Sequence, residues 1–256
     1  MTSTPSQKSQ TWLPTYLGLG TVWGLSFLFI AWANQSFSPV GVAFWRMMLG
    51  AAPMVVLALV TKGRWPTDWR VWLKVAGTSV TMNAVPAVLF AFAELHASSA
   101  FAGIMNGSTP IATLLIILLF FRAENPKPNV LVGLGVGLIG VLLVLQVWNG
   151  LGENDPAAVA ALSLAVLLYG IGAPYARRFV SPLKLDPNVQ VAMQVSMAAI
   201  MLAPFYLSGP LLTGPITVTS AIGIGVLGVF GTGIAYVFYY GLMNKAGSAV
   251  ANSVTY

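Results

Sequence analysis

Long apolar runs alternate along this chain with short polar gaps, and eleven of its twelve Lys and Arg residues fall in every second gap. An apolar run of about 20 residues matches the hydrocarbon core of a bilayer, and Lys/Arg bias across short loops sets which side each gap faces. With the N-terminus inside, the cytoplasmic gaps carry Lys8; Lys62, Arg64, Arg70 and Lys74; Arg122 and Lys127; Arg177, Arg178 and Lys184; and Lys245. The opposite gaps hold only Glu94, Glu153, Asp155 and His96. The pattern predicts an all-α, multi-pass integral protein of the plasma (inner) membrane with a cytoplasmic N-terminus.

Composition supports this and excludes other classes. Charged residues make up 7% of the chain and hydrophobic ones 57%, against about 25% charged in soluble domains. The net charge of +6 is then a topology signal, and nothing else points to nucleic acid. There is no cysteine and one histidine, so no disulfide, thiolate ligand set or zinc site can be built, and no cofactor is implied. No Ser/His/Asp or paired-carboxylate constellation is present for an enzyme. The polar first ten residues precede no small-residue cleavage site, so the first run reads as a retained helix.

Eight complete spans are expected, at about 13–34, 40–60, 71–93, 98–121, 129–148, 156–177, 188–208 and 217–241, with a ninth starting near Gly247. The chain also repeats itself at an offset of 146–149 residues. Trp23-Gly24 returns as Tyr169-Gly170, and Pro39 seven residues before Arg46 returns as Pro187 seven residues before Gln194. Ala97 to Ala102 returns ungapped as Ala246 to Ala251. Five helices per unit is an odd number, so the second copy enters the membrane upside down, the arrangement of secondary transporters. The expected units are 1–148 and 149–256. The first runs on about 40 residues past Gly107, the counterpart of Tyr256; a second unit of equal length would add the rest of helix 9 and a helix 10.

Depth, counted at 1.5 Å per residue, places Arg46, Asn83 and the start of Asn106-Gly107-Ser108-Thr109-Pro110 at one level, about 10–12 Å below the outer edge. Gln194, Thr232 and Thr255 fall about 8–12 Å from the inner edge. Arg46 has two open readings: snorkelling to outer headgroups, or facing a cavity to meet a carboxylate. Asn83 either braces two helices or contacts substrate. Pro110 frees the carbonyl of Asn106, and Pro86 acts likewise three residues past Asn83, so interrupted helices are expected there. Trp23 and Tyr169 lie near mid-membrane, away from the interfacial belts, and either brace helices or contact substrate. Glu94 and His96 are the only titratable candidates for coupling, and read as ordinary solvated loop groups.

Two motifs are set aside. Gly135-Val136-Gly137-Leu138-Ile139-Gly140 fits a dinucleotide fingerprint but lies inside an apolar span. Like Gly223, Gly228, Gly231 and Gly233, it reads as small residues for close helix packing, and Gly-rich faces of this kind also offer a surface for a homodimer. Asn34-Gln35-Ser36 is a glycosylation sequon that only a eukaryotic secretory route would use.

Trp23-Gly24, the Pro39…Arg46 entry to helix 2, the Ala-Ser-Ser-Ala opening of helix 4, Pro110 and the five-plus-five duplication resemble the drug/metabolite transporter superfamily, specifically its EamA-type exporters and permeases. The resemblance implies ten helices, cytoplasmic termini and a central cavity. It also implies alternating access for small organic solutes, amino acids or related metabolites, with export as the expected direction. Trp23, Arg46, Asn83, Asn106, Tyr169, Gln194 and Thr232 are the candidate substrate-binding residues. The rival class is a non-transporting scaffold or lipid-binding protein; convergence of Arg46, Asn83 and the 106–110 turn on one cavity separates the two.

Overall fold

The computed structural model describes residues 12–120, 128–145, 155–210, 212–247, 250–251 and 253–255. Seven of its helices are long and apolar enough to cross a membrane: α1 (Leu13–Ala33), α2 (Pro39–Val60), α3 (Trp69–Ala93), α4 (Ser99–Phe120), α6 (Pro156–Leu183), α7 (Pro187–Ser208) and α8 (Val218–Ala246). Between α4 and α6 lies an 18-residue helix, α5 (Pro128–Leu145). Of the expected ninth span, Ser253–Thr255 form a single 3₁₀ turn, and residues 248, 249, 252 and 256 lie outside the described residues. So do Lys8, Arg122, Lys127 and Glu153. Among the described residues there is no multi-residue strand, only an isolated bridge between Phe37 and Leu212.

The prolines that mark the gaps start helices. Ser38, Asp155 and Asp186 accept hydrogen bonds from the first-turn amides of α2, α6 and α7, each followed by proline at the first helical position. That pairing satisfies an orphan donor and presets φ where no amide is needed. Two helices outrun their expected ends, α6 to Leu183 and α8 to Ala246. The cations taken as loop residues sit in last helical turns, Arg177 and Arg178 in one and Lys245 in the other, where the negative end of the helix dipole favours them.

Large apolar side chains such as Leu59, Leu119, Ile200, Phe205 and Val218 are exposed around the bundle, as a lipid-facing surface requires. Inside, α2 and α7 lie together, with Phe44 stacked on Tyr206 at 4.4 Å. α2 also crosses α8 at a glycine contact: a Cβ on Gly228 would stand 2.4 Å from Leu49 Cβ, and one on Gly50 would stand 2.9 Å from the Gly228 carbonyl. Only backbones approach so closely. Gly223, Gly231 and Gly233 likewise meet Phe29, Ser26 and Gly50 within the bundle, so the glycine face of α8 is already covered by its own chain.

Besides the π-helical turn near the end of α6, Ala176–Val180, three interruptions shape the interior. α3 and α8 each contain a π-helical turn, Val80–Ala84 and Val229–Ile234, whose starts are 149 residues apart. α4 breaks between Asn106 and Thr109, where Pro110 has no amide to donate to the Asn106 carbonyl.

Candidate substrate cavity

The interruptions surround a narrow cavity of about 60 Å³, lined from α1, α2, α3, α4, α6, α8 and the C-terminal turn. Its walls are largely aromatic. Trp23 meets Tyr239 at 5.4 Å and Tyr236 at 6.0 Å between ring centroids. Phe90 meets Phe27 at 5.6 Å and stacks on Tyr169 at 5.8 Å. The polar lining comprises Arg46, Ser26, Asn106, Thr109 and Thr255.

Arg46 points inward and is 9% exposed, so its charge faces the cavity and not the headgroups. Its Nε donates to Thr232 Oγ1 at 2.8 Å and its Nη2 to the Gly231 carbonyl at 3.4 Å. The same carbonyl accepts from the Trp23 indole at 3.2 Å. Both acceptors belong to the π-helical turn of α8. Such turns recur at functional sites because they displace backbone groups from the regular ladder. A guanidinium has five N–H donors; two are used here, and among the described residues no carboxylate lies within ion-pair distance.

Asn83 and Gln194 do not line this cavity. The Gln194 amide donates to Asn83 Oδ1, and the Tyr240 hydroxyl donates to Gln194 Oε1. Ser79 Oγ donates to the Gln194 carbonyl at 2.8 Å. All three side chains of this network, Asn83, Gln194 and Tyr240, are buried. One residue before Asn83, the Met82 carbonyl accepts from the Tyr236 hydroxyl; it is the carbonyl that Pro86, four residues on, cannot serve.

Of the seven sequence candidates, then, Trp23, Arg46, Asn106 and Tyr169 line the cavity, Thr232 holds Arg46, and Asn83 and Gln194 bond to each other beside it. The two polar levels expected at separate depths meet. Arg46 of α2 bonds Thr232 of α8, and Gln194 of α7 bonds Asn83 of α3. Counting along straight helices ignores both the reach of an arginine stem and the π-helical turns at Asn83 and Thr232. Sequence reading missed Tyr236, Tyr239, Phe90, Phe27 and Ser26. Tyr236 and Tyr239 are three residues apart on one helix face, a signal hidden because α8 was expected to stop at residue 241, which put its tyrosines near the interfacial belt.

Glu94 also departs from expectation. His96 is exposed, its side chain 43% accessible and 3.9 Å from Asp155, but Glu94 folds under the turn into α4. Its Oε2 accepts from Ser99 Oγ at 2.7 Å, and its Oε1 is buried with no partner among the described residues. Burial raises this carboxyl to about 8, opposed by the Ser99 hydrogen bond and by the charge of Arg46.

The comparisons with known proteins agree with this architecture. A solved structure superposes with a TM-score of 0.69 at 17% identity, covering 96% of this chain and 84% of the other, a likeness of fold. The "Uncharacterized inner membrane transporter YedA" of Escherichia coli (strain K12) is 25% identical over 237 residues, 92% of this chain and 75% of that protein. Protein PagO of Salmonella typhimurium is 24% identical over 159 residues, 61% of this chain and 51% of PagO. The profile of the EamA-like transporter family matches twice, over residues 10–146 and 156–256. The chain belongs to the EamA-like transporter family, a multi-pass membrane protein of a family of transporters, not enzymes.

Proposed function

We propose that this protein is a secondary transporter of the inner membrane that carries small organic solutes, amino acids or related metabolites, with export as the expected direction. The carrying observation is Arg46: a buried cation with N–H donors to spare, set in an aromatic cavity. A carboxylate fits such a fork, and the rings of Trp23, Phe90, Tyr169, Tyr236 and Tyr239 suit an apolar or flat body. Asn106 offers a neutral polar contact at the α4 break. Thr232 positions Arg46, and Asn83 with Gln194 braces the floor beside the cavity.

In this reading two inverted five-helix units, 1–148 and 149–256, rock about the cavity, with α5 as the fifth span and 247–256 as the start of the ninth. The N-terminus is cytoplasmic. Two features support inverted symmetry. The counterpart residues Arg46 and Gln194 stand 148 positions apart, and Asn83 and Thr232 stand 149 apart. Each α2-type residue bonds the α3-type residue of the other unit. Of the three groups that separate a carrier from a scaffold, Arg46 and the α4 break share one cavity and Asn83 lies outside its lining, bonded to Gln194; two of three favour the carrier.

The test is counterflow of radiolabelled amino acids in proteoliposomes. Saturable counterflow for some of the panel is expected. Correctly folded protein that gives none across the panel would overturn the reading.

A further inference from the structure

The repeat offset relates two corners at opposite ends of the bundle. In the first, the α1–α2 turn is tied to the α7–α8 loop. Ser36 Oγ donates to the Pro215 carbonyl at 2.7 Å, the Thr213 amide donates to the Ser36 carbonyl at 3.0 Å, and Phe37 bridges Leu212. At offsets of 148 and 149 residues, Ser36 corresponds to Lys184, Thr213 to Arg64 and Pro215 to Pro66. The second corner therefore brings two cations together where the first has a serine and a threonine.

That second corner lies between the α2–α3 loop and the α6–α7 turn, and it is open. A pocket of about 520 Å³ is lined there by Lys62, Arg64, Trp65, Pro66, Lys184 and Asp186, among others. The two segments lie close: a Cβ on Gly63 would stand 2.5 Å from Val189 Cγ2 and 3.8 Å from Asp186 Cγ. Yet no backbone hydrogen bond joins them among the described residues. The Pro66 carbonyl, counterpart of the one that holds Ser36, accepts instead from the Trp72 indole at 2.9 Å.

The lining has donors to spare. Lys62, Arg64 and Lys184 form no ion pair among the described residues. Asp186, the acid of the lining, uses Oδ1 on the Asn188 and Val189 amides at the start of α7. Trp65 stacks on Trp72 at 6.2 Å, and its indole N–H is buried with no acceptor among the described residues, a costly omission. Lys62 and Lys184 are also the two non-glycine residues among those described with left-handed backbone, at φ 52° and 49°. L-residues adopt that conformation at a cost, and it persists where the surroundings hold it.

We propose that this pocket binds the phosphate of an anionic phospholipid headgroup, which ties the two units together at the end where hydrogen bonds do not. Three like charges held in one corner repel one another, and a phosphate seated among them turns repulsion into attraction. The lipid source follows from what adjoins the pocket. Leu59 and Val60, the last residues of α2 before Thr61 and Lys62, are 61% and 73% exposed. Trp69 and Leu73 at the start of α3 are exposed as well, so apolar surface for acyl chains lies beside a basic headgroup site. The binding chemistry is independent of the transport reading; only the leaflet, the cytoplasmic one, rests on the orientation expected from the Lys/Arg pattern.

The experiment is isothermal titration of dihexanoyl phosphatidylglycerol, dihexanoyl phosphatidylcholine or inorganic phosphate into the purified protein in a neutral detergent. The phosphatidylcholine controls for partition into the micelle. Saturable binding of phosphatidylglycerol is expected, at least about tenfold tighter than either of the others. The double variant Arg64→Gln, Lys184→Gln should weaken it at least about tenfold, from about fivefold for each cation removed. The double variant Arg70→Gln, Lys74→Gln removes the same charge from the same end of the bundle but outside the pocket, and should change affinity about twofold or less. All four side chains belong to exposed residues, and both variants are checked for fold by size-exclusion profile. Equal weakening in the two variants means diffuse surface charge and overturns the pocket. Inorganic phosphate binding as tightly as phosphatidylglycerol overturns the lipid assignment. No saturable phosphatidylglycerol binding by the folded wild type overturns the proposal outright.

Discussion

Replacing Arg46 by Gln separates charge recognition from simple packing. The guanidinium keeps Nε on Thr232 at 2.8 Å and one Nη2 proton on the Gly231 carbonyl at 3.4 Å. Three of its five donors are left without a partner among the described residues, enough for a two-pronged grip on a carboxylate. A hydrogen bond to a charged group contributes about 1.5–3 kcal/mol. Glutamine has a shorter reach and no charge, so the variant loses one such bond and weakens the other, about 3 kcal/mol in all. At 1.4 kcal/mol per tenfold, that is about a hundredfold in half-saturation for a carboxylate solute. An amide analogue offers Arg46 one neutral carbonyl, a single bond of about 1.5 kcal/mol without the two-pronged grip on a carboxylate, and its half-saturation should move about tenfold or less. The assay is concentration-dependent counterflow of L-phenylalanine against L-phenylalaninamide in proteoliposomes. Arg46→Lys keeps the charge without the fork and should fall between the two. Equal losses for acid and amide in Arg46→Gln would refute charge recognition and leave Arg46 a structural group between α2 and α8.

Tyr240→Phe removes the hydroxyl that donates to Gln194 and should lower stability by about 0.6–1.7 kcal/mol, the range for hydrogen bonds between membrane helices, read as reduced resistance to thermal denaturation in detergent. Gly228→Ala places a methyl 2.4 Å from Leu49 Cβ and should cost about 1–3 kcal/mol by forcing α8 off α2. The control Gly135→Ala on α5, where nothing lies within 4 Å, should leave the melting temperature unchanged; equal effects would sink the close-crossing argument. Burial raises the folded pKa of Glu94 from its ordinary 4.5 to about 8, so its contribution to stability is complete below the lower value and is lost as pH rises through the upper one. The melting temperature should therefore decline between about pH 4.5 and about pH 8, with Glu94→Gln flattening that slope and an unchanged slope counting against the burial of this carboxyl.

The membrane class was legible because it is written in bulk: apolar runs of bilayer length and cations in alternate gaps need no tertiary information. The helix starts were legible too, since Ser38-Pro39, Asp155-Pro156 and Asp186-Pro187 carry both a cap acceptor and a preset φ in two adjacent residues. Helix ends were less so. Arg177, Arg178 and Lys245 read as loop charge, but a last helical turn at a membrane surface accepts the same residues, and this error concealed Tyr236 and Tyr239. The site followed the same division. An arginine within an apolar run stands out by cost alone, and Pro110 announces a freed carbonyl through covalent chemistry.

Partnerships did not stand out, because they depend on π-helical turns with no residue signature of their own. Thr232 reaches Arg46, and Asn83 reaches Gln194, only after those turns shift register in α8 and α3. Yet the partnerships were latent in the repeat. Once Arg46 is matched to Gln194 and Asn83 to Thr232 at nearly one offset, an exchange of bonds between the two units is what a two-fold axis through the cavity would demand. The exchange is unequal in one respect: Arg46 is charged and lines the cavity, whereas Gln194 is neutral and sealed under Tyr240. A symmetric scaffold has no use for that difference. A carrier does, because a site that binds on one side and lets go on the other must break the symmetry of the fold at the residues that touch the solute.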